Sequence, residues 1–207
     1  MSTGKIRHTP DIGFVGGALC LDFVNTIHDY AGQDPEEELN SFGDLIRWSQ
    51  LARIVDAKEA KRFLRDADKD PAQAQRILRQ GRELRGALYS VFRAVTLKQE
   101  IDQKELNIIS DFLSEAVKHL SLVHDRGTVY RLSWEKGLPS KVILYEVVQS
   151  AAAILANVSN LRLGECSGEN CTWLFVDSSK NGSRRWCDMQ RCGSREKSRR
   201  YYHKKWK

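Results

Sequence analysis

The sequence predicts a mainly α protein with a small β component, arranged as a helical body over residues 1–160 and a small C-terminal module over residues 161–207. Three observations predict it. Apolar residues recur at three- and four-residue steps through most of the first 160 positions, with helix start signals ahead of them. Four of the five cysteines fall between residues 166 and 192, in two equally spaced pairs. The charge shifts at the same place: residues 161–207 hold 12 Lys and Arg against 5 Asp and Glu, and the rest of the chain holds 21 against 22. A length of 207 residues with 41% hydrophobic content is enough to bury a core.

The elements follow in order. In LCLDFVNTIHDY, residues 19–30, helical spacing gathers Asp22, Asn25 and Asp29 on one side and leans Phe23, Ile27 and Tyr30 the other way. Asp56 and Glu59 form a capping box ahead of a helix that turns Ala60, Phe63, Leu64 and Ala67 inward. Asp70-Pro71 sets an N-cap before a first-turn proline, and the long helix beyond carries Leu84, Leu88, Val91 and Val95 on one face. Asp102 and Glu105 repeat the box before Leu106, Ile109, Leu113, Ala116 and Leu120. TVYRLSWE, residues 128–135, alternates as a strand, with the early GFV as its expected partner. A last body helix runs from Pro139 to about Asn157, and residues 157–164 mark the boundary before the composition changes.

Several classes are excluded. GFVGGALC is too short for an export signal and meets Asp22 almost at once. No stretch reaches the ~18 apolar residues of a membrane span, so a cytoplasmic protein without membrane contact is expected. Asp22, Asn25 and His28 lack the nucleophile, base and orienting group that catalysis requires, so no enzyme is expected.

The cysteines carry the chemistry. Cys166 and Cys171 enclose four residues, fifteen residues separate Cys171 from Cys187, and Cys187 and Cys192 enclose another four. Two cysteine-bearing turns supply four soft ligands in pairs, which suits tetrahedral Zn2+ in a structural site closed to water. Gly168 and Asn170 suit the first turn. TWLFVD reads as a strand and Asn181-Gly182 as a hairpin reversal, with a helix after the second pair, an order that resembles a treble-clef module. Two disulfides would suit a secreted chain, and an iron–sulfur cluster would need a different spacing. Cys20, alone in an apolar stretch, reads as a small core residue.

Beside the cysteines lies a basic helix. Arg184, Arg185, Arg191, Arg195, Lys197, Arg199, Arg200 and Lys204 are candidate nucleic-acid contacts, because arginine pairs with phosphate and with guanine edges. DNA is the expected partner, with RNA and a protein-binding adaptor as alternatives. Trp186, next to a ligand cysteine, is expected to pack with Trp173 and Phe175.

The phrases WLFVDSS and RRWCDMQRC, together with the cysteines, resemble the CGNR zinc-finger module of bacterial transcription regulators. LCLDFVNT is similar to the ABATE-type N-terminal domain that accompanies that module. The resemblance spans nearly the whole chain and implies a zinc-binding, DNA-binding regulator without catalytic residues. One position departs: Cys192-Gly193-Ser194-Arg195 has serine where the signature has asparagine, a substitution a helix N-cap tolerates.

The size of the body then suggests sensing or dimerisation. Arg85 falls among Leu88 and Phe92, where an unpaired charge is costly, so it is expected to meet Asp22 or another polar group. With Asn25 these residues would form a site for a small anionic ligand; the alternative is a structural ion pair. Paired half-sites make a homodimer an expectation for a DNA-binding regulator, though no heptad marks one.

Overall fold

The computed structural model describes residues 13–30, 35–127 and 129–205, the last three by backbone alone. Among the described residues its body holds six α-helices: α1 (Leu19–Val24), α2 (Phe42–Leu51), α3 (Ala57–Lys69), α4 (Pro71–Leu97), α5 (Gln103–Ala116) and α6 (Val142–Ala156). Two small antiparallel pairs accompany them, β1 (Ile27–His28) with β2 (Glu36–Glu37) and β3 (Leu120–His124) with β4 (Tyr130–Trp134). The C-terminal module contributes a third pair, β5 (Leu163–Glu165) with β6 (Leu174–Val176), and the final helix α7 (Ser194–Lys205).

Local chemistry sets the helix starts. Asp56 accepts from the Glu59 N–H while Glu59 accepts from the Asp56 N–H, a complete capping box. Asp70 caps α4 by accepting from the Gln73 N–H with Pro71 in the first turn. Asp102 caps α5 by accepting from the Lys104 N–H, and the expected box with Glu105 does not form. Ser41 and Asp44 form a further box at α2.

The short helix α1 is the centre of the body. Cys20, Leu21, Phe23 and Val24 are buried in it, and it packs on α4 and α6. Leu84, Leu88, Val91 and Phe92 of α4 face the same core, and Trp48 of α2 meets Phe23 edge-on with ring centroids 4.9 Å apart. Burial pushes the Cys20 thiol up to about 12, which leaves it an inert core residue.

Four expectations are corrected. GFV does not pair with β4; instead the neighbouring Gly16 carbonyl accepts from the Val176 N–H of β6 at 2.8 Å, and β4 pairs with β3. Helix α5 stops at Ala116 because residues 117–119 tighten into a 3-10 turn and Leu120 begins a strand. Helix α1 ends at Val24, so Asp29 lies beyond it with a left-handed φ of 51°. Asn181-Gly182 reverses the chain as a turn, but no strand follows it among the described residues; the hairpin of the module is β5 with β6, which precedes it.

Candidate metal centre and basic helix

The hairpin β5–β6 presents the first cysteine pair on its connecting turn. The Cys166 N–H donates to the Trp173 carbonyl at 2.8 Å, closing the base of that turn, and Asn170 takes a left-handed φ of 56° inside it. Gly168 passes so close to the sulfurs that a Cβ there would lie 3.1 Å from Cys192 Sγ and 3.4 Å from Cys166 Sγ. Cys187 precedes a single π-helical turn, Met189–Gly193, which contains Cys192 and runs directly into α7. Asp188 starts that turn by accepting from the Gln190 and Arg191 N–H groups at 2.7 and 2.8 Å. Ser194 therefore does not cap the helix: it already has helical backbone angles, and its hydroxyl donates to the Met189 carbonyl at 3.0 Å.

All four cysteines are buried and unbridged, and their Sγ atoms lie within 4.8 Å of one another. Cys171 and Cys187 are 3.8 Å apart and Cys187 and Cys192 are 3.5 Å apart. Four sulfurs at ~2.3 Å from a tetrahedral Zn2+ would be separated by about 3.8 Å, so the donor set fits one structural zinc. Backbone amides support the same sulfurs. The Cys187 N–H points at Cys166 Sγ at 3.2 Å and the Gly168 N–H at 3.4 Å, as negatively charged thiolates require. Hydrogen bonds from the other three thiols hold Cys166 far below its ordinary range, and hydrogen bonding to Cys166 pushes Cys171 and Cys187 far above theirs. A dication is what lets all four ionise together.

The module is bound to the body by polar contacts that the sequence pattern does not signal. The Asn25 side chain, 3% exposed, donates from Nδ2 to the Leu174 carbonyl and accepts the Leu174 N–H at Oδ1, both at 2.9 Å. It thus pairs with β6 as a neighbouring strand would. Trp173 Nε1 donates to the Ile27 carbonyl at 3.1 Å, and its ring stands 4.6 Å from that of His28. Asp22 accepts the Gly16 N–H at 2.7 Å, which holds the loop whose Gly16 carbonyl receives Val176.

Arg184, half-buried, lies in this seam. Its guanidinium donates to the carbonyls of Trp186 (3.1 Å), Val176 (3.2 Å), Val15 (2.7 Å) and Cys187 (2.5 Å), and it lies 4.1 Å over the Phe175 ring. These four carbonyls engage most of its donors, so its first role in the structure is to tie β6 and the second cysteine pair to the loop at Val15. Arg85 does not meet Asp22. It forms a forked ion pair with Glu37 and donates to Thr26 Oγ1 at 2.9 Å, which is the structural ion pair weighed as the alternative to a ligand site. The remaining candidates divide. Arg185, Arg195 and Lys197 are exposed, with Arg185 over the Trp186 ring at 5.2 Å and Arg195 Nη2 3.6 Å from Cys192 Sγ. Arg199 pairs with Glu169 and Glu196, Arg200 pairs with Glu196, and Arg191 is half-buried. The Lys204 side chain lies outside the described residues. Trp186 packs against the cluster of cysteines, Trp173 and Phe175, as the sequence suggested.

Burial pushes the Asp22 carboxyl from 3.8 up to about 6, against the opposing pull of the Gly16 and Val15 amides and Arg184. A carboxyl whose folded value exceeds its unfolded value stabilises the fold fully below the lower value and loses that contribution as pH rises through the higher one. Asp22→Asn, which cannot titrate and keeps an oxygen for Gly16, removes this dependence. Between about pH 7 and pH 4, wild type is expected to gain on the order of 2 kcal/mol relative to Asp22→Asn. Urea unfolding of both proteins at each pH reads the difference; a constant gap would show that Asp22 does not titrate in this window.

A helical body joined to a four-cysteine zinc module with a basic terminal helix defines the class. Residues 162–205 match the CGNR zinc finger. Residues 17–158 match the ABATE family, whose description is "Putative stress-induced transcription regulator", and the chain belongs to that family. Neither is a family of enzymes. No curated protein matches the chain. Among the described residues, no helix is long and apolar enough to cross a membrane.

Proposed function

We propose that this chain is a transcription regulator that binds DNA through the exposed bases of its zinc module. The observation that carries the reading is the way α7 is held. It grows without a break from the turn that contains Cys192, so the metal centre fixes the direction of Arg195 and Lys197, and Arg185 lies on the segment just before Cys187. Cationic side chains on a backbone held in this way meet phosphates without first ordering the helix that carries them. Arg199 and Arg200 join them on contact, because exposed ion pairs like those with Glu169 and Glu196 are worth only about 0–1 kcal/mol and yield to a phosphate. The body contributes the platform on which the module sits.

Binding to random duplex across a salt series tests this. Affinity should fall steeply with salt, and Arg195→Ala with Lys197→Ala should flatten the slope of log K against log salt by about 2 units, roughly 0.9 for each phosphate no longer neutralised. Zinc content should not change. No binding at low salt, or an unaltered slope, would favour an adaptor that uses the module to hold a protein.

A further inference from the structure

Cys192 sets the rotation of the helix that follows it. Its sulfur lies with the other three, and along the π-turn and α7 residues at steps of two fall alternately outside and inside: Gln190 exposed, Cys192 buried, Ser194 exposed, Glu196 half-buried, Ser198 exposed. Two residues turn a helix by about 200°, so Gln190, Ser194 and Ser198 share one outward face. Arg195 follows Ser194 by one position and Lys197 precedes Ser198 by one, which puts them on opposite shoulders of that face. The acids of this end are committed elsewhere. Glu196 pairs with Arg199 and Arg200, Glu169 pairs with Arg199, and Asp188 accepts from the N–H groups of Gln190 and Arg191. Among the described residues, the side-chain amide of Gln190 makes no hydrogen bond.

We propose that this face enters the major groove of duplex DNA, where Gln190 selects an adenine and Arg195 and Lys197 hold phosphates of the two strands. The inference rests on the DNA reading above and adds to it a groove and a base-selecting residue. Width decides the groove. A helix with its side chains is about 10–12 Å across, which matches a major groove ~12 Å wide and not a minor groove ~6 Å wide. Charge decides the orientation. The basic shoulders meet the two phosphate walls, and with Nη2 3.6 Å from Cys192 Sγ, exposed Arg195 keeps its other donors for a phosphate. Between the shoulders, Ser194 and Ser198 are short enough to let the backbone approach the bases, but a hydroxyl suits any base. Gln190 is more selective. Its amide offers one acceptor beside donors, and in the major groove adenine alone presents the matching pair, the N7 acceptor and the N6 amino donor. Being uncharged, Gln190 adds selectivity without adding to the salt dependence.

Selection of duplex from a random pool by the zinc-loaded full chain, followed by titration of the selected site, tests this. The site should contain an adenine whose replacement weakens binding about tenfold, the discrimination expected of one bidentate pair. A deazaadenine lacking N7 at that position, which keeps the base pair and removes the acceptor in the groove, should also weaken wild type. Gln190→Ala should lose the preference and be indifferent to the deaza base, while zinc content, helical signal and the salt slope on random duplex stay unchanged. Equal selectivity in wild type and Gln190→Ala overturns the proposal, and so does a wild type that ignores the deaza base at every adenine of the site. A pool that yields no preferred sequence overturns it as well, and a steep salt slope on that pool would leave the DNA reading standing alone. No duplex binding at low salt removes both.

Discussion

Replacing Cys171 with serine is expected to yield a protein that carries no zinc and melts well below wild type. Three thiolates and a hydroxyl close the site poorly, and structural zinc contributes on the order of 10 kcal/mol to the folding of modules this small. The loss should not stop at the module. Leu174, between the two cysteine pairs, is part of the same apolar core as Phe23 and Leu84, so withdrawing the metal loosens a strand on which the body closes. Wild type should return one zinc per chain in metal analysis, and chelator should lower the melting temperature of the whole protein as a single transition. Two separate transitions, with the body unaffected by chelator, would contradict that coupling.

The second large effect is expected at Asn25. Asn25→Leu removes both hydrogen bonds to Leu174 and leaves a buried N–H and a buried carbonyl unpaired, at about 1–3 kcal/mol each. Asn25→Asp is the sharper probe because it keeps the shape. One carboxylate oxygen still accepts the Leu174 N–H, but the other is set against the Leu174 carbonyl oxygen, and a buried charge is added. Its destabilisation should be at least as large as that of the leucine variant at neutral pH and should ease as the carboxyl is protonated in acid. Urea unfolding with parallel zinc analysis separates the two variants. An Asn25→Asp protein as stable as wild type would show that the amide does not hold β6.

The sequence revealed the features that are local. The capping residues Asp56 and Asp70 act within three residues of themselves, and the four cysteines announce a metal by spacing alone, so both could be read before any fold was known. What escaped depends on partners far along the chain. Asp22, Asn25 and Arg85 are grouped by helical spacing and charge. Asn25 is instead bound 149 positions away, and Arg85 is neutralised by Glu37 from a two-residue strand that no periodicity signals. Arg184 misleads for a related reason. Its charge suggests phosphate, but arginine is also the side chain best able to gather several carbonyls at once, and the carbonyls it gathers are brought to it only by the fold. The resemblance in LCLDFVNT points to the right segment without disclosing that its Asn25 pairs with a strand of the zinc module.

The contacts of Arg184 and Asn25 carry one more implication, for how such a chain can be cut and recombined. In sequence the two halves meet at a seam near residue 160; in space the opening loop at Val15 and Gly16 is stitched into the zinc module by Arg184 and Val176. A fragment beginning at residue 161 would keep every metal ligand and still lack the loop that Arg184 grasps and the amide that completes β6. Grafted onto a foreign protein, it would bring its ion but not its orientation. The orientation of the module is therefore a property of the two parts together, and a different body would have to offer Leu174 a donor and an acceptor of its own.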